Sequence, residues 1–259
     1  MLKVYNVAEN KIWDQIVRSF AEYDVYYLSG YVKAFQLHGD GEPLLFYYEG
    51  NGCRGINVVM KRDIAQDPYF IGKIPERCFF DLSTPYGYGG WLIEGGGEIT
   101  GLYREYQEWC VKNQIVSEFT RFSLFSRSRD TYYGDVTPRK NNIVRSLDCP
   151  MDEILMDFEH KVRKNIKRAE CENLKILVDP QGDRMDDFLR IYYGTMERNH
   201  AEDTYYFQEM FFRQLNTLKG NCVYFHVLHE DTVISTELVL LGSSTMYSYL
   251  GGTDSLYFP

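Results

Sequence analysis

The apolar positions of the first 149 residues predict an alternation of strands and helices. Ile12, Ile16 and Phe20 recur at helical spacing, whereas the apolar runs 44–48 and 55–61 flank a Gly-Asn-Gly turn, which is typical of a β-hairpin. The predicted strands are 3–7, 44–48, 55–61, 79–82, 118–126 and 143–147. The predicted helices are 10–20, 98–112 and a short helix capped by Ser29 that contains Phe35.

After Pro150 the pattern changes to helices followed by a second group of strands. The predicted helices are 151–159, 162–172, 185–198 and 206–218, and the predicted strands are 175–179, 223–228, 232–241 and 245–250. Segments 44–61 and 223–241 occupy equivalent places, because each is a hairpin that follows helices. This shared order favours an internal duplication, with a first lobe at 1–149 and a second lobe at 150–259.

The two predicted lobes differ after their hairpins. The first continues through a strand, a helix and two further strands, whereas the second reaches Pro259 soon after its third strand. We therefore expect the second lobe to lack a closing helix and strands and to have an open sheet edge. An unpaired edge invites another chain, so a homodimer that covers it is one expected partner arrangement.

Composition and charge disfavour several classes of protein. The net charge of −9 disfavours general nucleic-acid binding, and six scattered cysteines without a C-x-x-C pair disfavour a zinc ribbon or a disulfide scaffold. Free thiols fit a reducing compartment. The sequence has no signal-like start and no run of about 18 apolar residues, so we expect a cytoplasmic protein that meets any membrane substrate from that side.

Two aromatic segments are candidates for a binding groove. The loop 81–90 contains Tyr86, Tyr88 and Gly89, and its glycines would let the backbone approach a ligand. Tyr247 and Tyr249 alternate along a predicted strand and therefore share one face. A tight turn and ordinary core packing explain the same residues equally simply, so both interpretations stay open.

A basic segment follows Pro150, and it is the strongest local concentration of positive charge in this acidic chain. Its helix places Val162 and Ile166 on an apolar stripe, with cations on the remaining surface. The candidate contacts to a phosphate or tRNA are Arg163, Lys164, Lys167 and Arg168. A solvated helix face is the simpler interpretation.

The ordered set of these segments resembles the FemA/FemB/FemX-like family of GNAT-fold acyltransferases. The carrying stretches are 81–90, 163–169, 195–199 with 205–207, and 247–251. The resemblance implies an α+β fold with mixed sheets, built as tandem GNAT-like lobes with a substrate groove between or across them. The motifs G-x-x-x-x-G-K-[ST], G-x-S-x-G and H-E-x-x-H are absent from the sequence.

The resemblance also implies roles for individual residues. Gly30-Tyr31-Val32-Lys33 matches a segment whose lysine binds the diphosphate of the precursor, which makes Lys33 a candidate for that contact. Tyr206 matches a substrate-binding tyrosine, and Tyr249, or alternatively Tyr247, matches another. Where the family can carry an acidic residue, this chain has Ser123. No metal and no bound cofactor are expected.

The function that the resemblance implies is transfer of an amino acid from aminoacyl-tRNA to the peptide amine of a peptidoglycan precursor. The expected partners are a UDP-linked or lipid-linked muramyl peptide, tRNA and the membrane surface. One alternative is an N-acyltransferase that uses acyl-CoA or another donor. The other is a binding module or pseudoenzyme, which an incomplete second lobe would favour.

Overall fold

Two β-sheets organise the chain, one from each half of the sequence. The computed structural model describes residues 1–125 and 128–257. Both sheets carry helices, and one strand pair of the first sheet is parallel while the other pairs are antiparallel. The predicted α+β fold with mixed sheets is therefore confirmed.

The first half builds a sheet in the order β1-β2-β3-β4-β6, with β5 paired to the other end of β3. Its strands are β1 (Leu2–Asn6), β2 (Glu42–Gly50), β3 (Cys53–Asp63), β4 (Phe80–Ser83), β5 (Leu92–Gly95) and β6 (Ile115–Phe119). Its helices are α1 (Asn10–Arg18), α2 (Ser29–His38) and α3 (Thr100–Lys112). Strands β4 and β6 form the parallel pair.

The second half builds an antiparallel sheet in the order β10-β9-β8-β7. Its strands are β7 (Lys175–Asp179), β8 (Cys222–His229), β9 (Thr232–Leu241) and β10 (Met246–Thr253). Its helices are α4 (Met151–Asp157), α5 (His160–Cys171), α6 (Met185–Arg198) and α7 (Glu209–Leu215). No helix in the described part of the chain is long and apolar enough to span a bilayer.

The two halves repeat one order of elements. The series β1-α1-α2-β2-β3-β4 corresponds to β7-α6-α7-β8-β9-β10, and in each series the strands are sheet neighbours in chain order. The predicted equivalence of the two hairpins is thus present in the topology. A common order of this kind is the structural signature expected of a duplicated unit.

The larger hydrophobic core draws on both halves. Trp13 and Phe35 from α1 and α2 belong to the same buried cluster as Phe188 and Phe212 from α6 and α7. A smaller core lies on the other face of the first sheet and contains Phe46. Successive side chains of β2 pack alternately into the two cores. Both faces of the strand are therefore buried, which explains why it is apolar at nearly every position.

The predicted Ser29 cap is wrong. Ser29 is the first residue of α2, and the residue before it offers no side-chain cap. The Ser29 N–H donates to Asp14 Oδ1 at 2.8 Å and its hydroxyl donates to Asp14 Oδ2 at 3.0 Å. The Asp14 carboxylate, which belongs to α1, therefore accepts from the free N–H at the start of α2, in place of a capping side chain next to that helix.

One predicted strand is absent, and two predicted elements have different bounds. Residues 143–147 form no strand, and Arg145 instead donates to Asp157 at the end of α4. The strand predicted at 118–126 ends at Phe119, and its last residue lies outside the described residues. Helix α7 spans Glu209–Leu215 rather than 206–218, because Tyr206 (φ −88°, ψ +69°) and Gln208 (φ −70°, ψ +159°) have non-helical backbone angles.

Candidate functional site

A cluster of tyrosine rings occupies the junction of the two halves. Ring centroids of Tyr26 and Tyr247 lie 4.9 Å apart, those of Tyr86 and Tyr249 6.0 Å, and those of Tyr88 and Tyr247 6.1 Å. The members of this tyrosine cluster are Tyr26, Tyr31, Tyr86, Tyr88, Tyr247 and Tyr249. The structure therefore brings the two predicted aromatic segments together, although they are about 160 positions apart in the sequence.

The hydrogen bonds of the cluster show which hydroxyl donates its proton and which accepts. The Tyr31 hydroxyl donates to the backbone carbonyl of Tyr86 and lies 3.0 Å from the Tyr249 hydroxyl. A phenol has one proton to donate, so Tyr249 is the donor to Tyr31. Burial raises the pKa of both phenols, which keeps them protonated at neutral pH. The lone pairs of Tyr249 stay available to accept a hydrogen bond from a bound amine.

A β-bulge sets the position of Tyr249. In the pairing of β10 with β9, Ser248 lies opposite Val239 and Leu250 lies opposite Leu238, so Tyr249 is the extra residue. A bulge bends its strand and re-aims the unpaired side chain, and bulges are over-represented beside active sites. Of the two tyrosines that the resemblance offers, Tyr249 is the bulged residue, whereas Tyr247 is paired in register with Leu240.

The loop 84–90 is held close to the cluster by its glycines. Gly87 has φ +112°, and a Cβ at that position would collide with the Tyr26 ring. The Gly89 N–H donates to the Arg121 carbonyl at 2.8 Å, and its own carbonyl accepts from the Ser123 N–H at 3.0 Å. Gly89 therefore joins the loop to the segment that follows β6, and it lets Tyr86 and Tyr88 reach the rings of the second half.

Asp24 is a site residue that sequence reasoning missed. Its carboxylate accepts from the Tyr247 hydroxyl and from the Val25 N–H, the latter at 2.7 Å. Only 7% of the residue is exposed, and this burial raises the pKa of the carboxyl. Tyr26 and Tyr31 were missed as well. The sequence does contain a signal for Asp24, because this acid lies within the aromatic run 23–27. A carboxylate buried in such a run requires a hydrogen-bonding or charged partner.

Lys33 lies on a different side of α2 from Tyr31. Two residues along a helix are separated by about 200° around its axis. Lys33 Nζ donates to Gln36 Oε1 at 2.8 Å and lines a separate groove of about 530 Å³. Two other cations, Arg18 and Lys219, line the same groove. The structure therefore places Lys33 in a basic groove and not among the tyrosines.

Tyr206 is half-buried beside the cluster, but its neighbour Tyr205 makes the closer contact. The ring of Tyr205 lies 6.2 Å from that of Tyr86, and its backbone carbonyl accepts from the Tyr192 hydroxyl. Segment 205–207 therefore reaches the tyrosine cluster through Tyr205, and the role of Tyr206 in substrate binding stays a prediction.

The basic helix α5 buries none of its side chains. Arg163 donates to the carbonyls of Met156 and Phe158, at 2.8 Å each, and so holds the turn between α4 and α5. Lys164, Lys167 and Arg168 are exposed to solvent. Arg163 has a structural role, whereas Lys164, Lys167 and Arg168 are exposed and can meet an anionic partner.

No group of three or more histidine, cysteine, aspartate or glutamate side chains suited to a metal occurs among residues 1–125 and 128–257. The described site therefore consists of phenols, one buried carboxylate and backbone groups. Such a site can orient an amine and accept or donate protons, and it holds no strong side-chain nucleophile.

The comparisons with known proteins address the second half. Residues 157–258 match the acetyltransferase (GNAT) domain family. The second half is of the GNAT type. The match covers β7 to β10 together with α5, α6 and α7, so it includes the bulged strand, and it supports an acyltransferase function. A comparison with curated proteins finds no match to this chain.

Proposed function

We propose that this GNAT-type protein is a FemA/FemB/FemX-like aminoacyltransferase that uses the tyrosine cluster to bind the acceptor. The reaction would move an amino acid from aminoacyl-tRNA to the peptide amine of a peptidoglycan precursor. One observation carries the proposal. Tyr86, in the loop 84–90, contacts Tyr249 on the bulged strand of the GNAT domain.

The chemistry suits such a site because aminolysis of an activated ester needs positioning more than a nucleophilic side chain. A neutral amine must lie near the acyl carbon, and the developing oxyanion must be stabilised. The Tyr249 hydroxyl donates its one proton to Tyr31, and its lone pairs can accept a hydrogen bond from the amine and orient it. Asp24 supplies a carboxylate next to Tyr247.

The basic groove supports a phosphate-bearing precursor. Lys33, Arg18 and Lys219 border it together with one acid, Asp14, and this excess of positive charge favours an anion such as a diphosphate. The exposed cations of α5 are the proposed contact with the tRNA donor or with an anionic membrane surface.

A GNAT-type N-acyltransferase that uses acyl-CoA is the second candidate. The description of the matched family favours it. The acyl-CoA pattern Q-x-x-G-x-G occurs at residues 36–41, but this segment lies outside the matched residues 157–258. It leads from the end of α2 into β2, whereas backbone N–H groups bind a pyrophosphate best at the start of a helix, so the position of the pattern disfavours this candidate. A non-catalytic binding module remains a third candidate that product formation would rule out.

The deciding experiment supplies the purified chain with a UDP-linked muramyl pentapeptide and, in parallel, with charged tRNA or acetyl-CoA. Mass spectrometry of the peptide then identifies the added group. An aminoacyl adduct supports the first candidate, whereas an acetyl adduct supports the second. Binding of the precursor without any adduct would move the protein to the non-catalytic class.

The Lys33 assignment has its own test. Lys33→Met removes one groove cation and keeps a similar stem, so we expect the affinity for the UDP-linked precursor to fall about 10-fold, which corresponds to about 1.4 kcal/mol. Calorimetry measures it, with Lys112→Met at the exposed end of α3 as the matched control. Equal affinities of the two variants would remove Lys33 from the site.

A further inference from the structure

A cavity of about 620 Å³ lies next to the tyrosine cluster, where loops from both halves meet. Its lining comes from segments 22–27, 123–125, 143–148 and 243–247, together with Leu92. Tyr247 belongs to both the cavity and the cluster, so the two features form one continuous region. The sequence motifs did not identify this cavity.

Asp24 is the buried charged group of the cavity wall. One carboxylate oxygen accepts from the Tyr247 hydroxyl and the other from a backbone N–H. Among the described residues, no lysine, arginine or histidine pairs with it within 4.0 Å. A carboxylate that is 7% exposed normally has a cationic partner, so this one is suited to an external cation.

The other charged groups around the cavity reinforce that preference. Glu22 and Asp148 are exposed acids of the lining. Arg145 also lines it, but its guanidinium is paired with Asp157 of α4. The cavity therefore presents more negative than positive charge to a ligand.

The remaining wall is apolar and aromatic. Six of the side chains that form it are Tyr23, Tyr27, Leu92, Leu124, Phe125 and Met246. An aliphatic stem would lose contact with water there, and an ammonium group is attracted to tyrosine faces as well as to a carboxylate. This combination selects a cation on an apolar chain over a neutral polar group.

We infer that the cavity binds the acyl acceptor as a primary alkylammonium group on an aliphatic stem, with Asp24 as its counter-ion and proton acceptor. This inference rests on the proposed acyltransferase function. The ammonium gives one proton to the Asp24 carboxylate, and the neutral amine attacks the acyl carbon of the donor ester. The C–N bond forms, the ester C–O bond breaks, and the departing oxygen takes the second proton from nitrogen. Asp24 then releases its proton to water.

The burial of Asp24 serves both parts of that role. Desolvation raises the pKa of its carboxyl, which brings the carboxylate closer to the basicity that a general base needs. The hydrogen bond from Tyr247 fixes its direction and couples it to the bulged strand that presents Tyr249.

The test measures amine binding separately from catalysis. n-Pentylammonium is titrated into the full chain by calorimetry or saturation-transfer NMR, with 1-pentanol as its neutral counterpart. We expect the wild type to prefer the amine and Asp24→Asn to lose at least about 10-fold in amine affinity. Asp231→Asn, in the exposed turn between β8 and β9, is the matched control and should bind like the wild type. Equal binding of the amine by Asp24→Asn and the wild type would overturn the inference.

A second variant does not depend on the buried position. Ser244 is exposed and lines the cavity, so Ser244→Lys adds a competing ammonium without disturbing the core. We expect it to weaken n-pentylammonium binding and to leave 1-pentanol binding unchanged. Unaltered amine binding in this variant would contradict the assignment of the cavity.

Activity separates the inference from the function on which it rests. If the chain acylates an acceptor and Asp24→Asn has the same kcat/KM, the inference fails while the acyltransferase proposal stands. If no donor gives a product but amine binding still depends on Asp24, the cavity assignment stands and the proposed function fails.

Discussion

At the scale of single residues, the candidate site depends on two hydroxyl contacts between the halves. Tyr249 donates to Tyr31, and Tyr247 donates to Asp24, so each tyrosine of β10 is anchored to the first half. These contacts fix where a bound amine would meet the lone pairs of Tyr249 and the carboxylate. Their loss should affect catalysis more than stability, because the rings remain packed.

Tyr249→Phe tests the first contact. The variant keeps the ring but removes the hydroxyl, so we expect the rate of acyl transfer to fall about 100-fold, as for other precisely placed polar groups of active sites. The free energy of unfolding should change by only about 1 kcal/mol, the usual contribution of one hydrogen bond. Steady-state kinetics and urea unfolding measure the two effects. Exposed Tyr69→Phe is the matched control, and equal kinetics for the two variants would exclude Tyr249 from the site.

Asp24→Asn tests the second contact through pH. Burial raises the pKa of the Asp24 carboxyl in the folded state above its unfolded value near 3.9, so folding favours the protonated form. The stability of the wild type therefore falls as pH rises from about 4 through that raised pKa, whereas asparagine does not titrate. We expect the stability of the variant relative to the wild type to increase from pH 4 to pH 7, in urea titrations at each pH. A difference that is flat over this range would show that Asp24 is not desolvated.

At the scale of elements, the packing of α2 against the end of α7 holds Tyr31 in place. Gly30 lies in the first turn of α2, and a Cβ there would be 2.8 Å from Leu218 Cδ2. Its carbonyl also accepts from Gln214 of α7 at 3.4 Å. A side chain at position 30 would therefore crowd Leu218, in the turn that follows α7.

Two helical glycines provide a matched pair for this contact. Gly30→Ala should lower the free energy of unfolding by about 1–3 kcal/mol, because the added methyl group overpacks against Leu218. Gly194→Ala, on the exposed face of α6 with no atom near its Cβ, should raise it by about 0.5–1 kcal/mol. Urea unfolding of both variants measures the difference. Stabilisation by both substitutions would show that α2 and α7 are not in close contact.

At the scale of the whole molecule, the two topological halves share their main core. Trp13 and Phe212 belong to one buried cluster although they come from different halves. A division of the chain at residues 149 and 150 describes the repeated order of elements, and it stays a prediction as a statement about domains. A shared core predicts that the halves unfold together.

The tryptophans make cooperative unfolding measurable. All three, Trp13, Trp91 and Trp109, lie in the first half. Phe212→Ala in α7 leaves a cavity in the shared core. We therefore expect the free energy of unfolding measured by tryptophan fluorescence to fall by about 3–5 kcal/mol, even though no tryptophan lies in the second half. Met210→Ala, exposed on the same helix, is the control. An unshifted fluorescence transition together with a shifted circular-dichroism transition would show independent lobes.

The sequence predicts most accurately those elements that a local pattern defines. The strand 175–179, the helix 185–198 and the strand 232–241 are predicted with the bounds that the structure has, because each is a periodic segment with clear ends. It failed where a distant group decides the outcome. Asp14 satisfies the start of α2, and residues 143–147 have the apolar pattern of a strand but form loop structure along a cavity.

The sequence by itself determined most of the elements, the repeated order of the two halves and the aromatic segments that carry the candidate chemistry, since these follow from composition and spacing along the chain. Only the tertiary structure decided that Tyr86 meets Tyr249, that Lys33 faces a separate groove, and that Asp24 lies against Tyr247. The physical reason is that such contacts join residues far apart in the chain. Their positions depend on sheet register, a bulge and core packing, which local patterns do not contain.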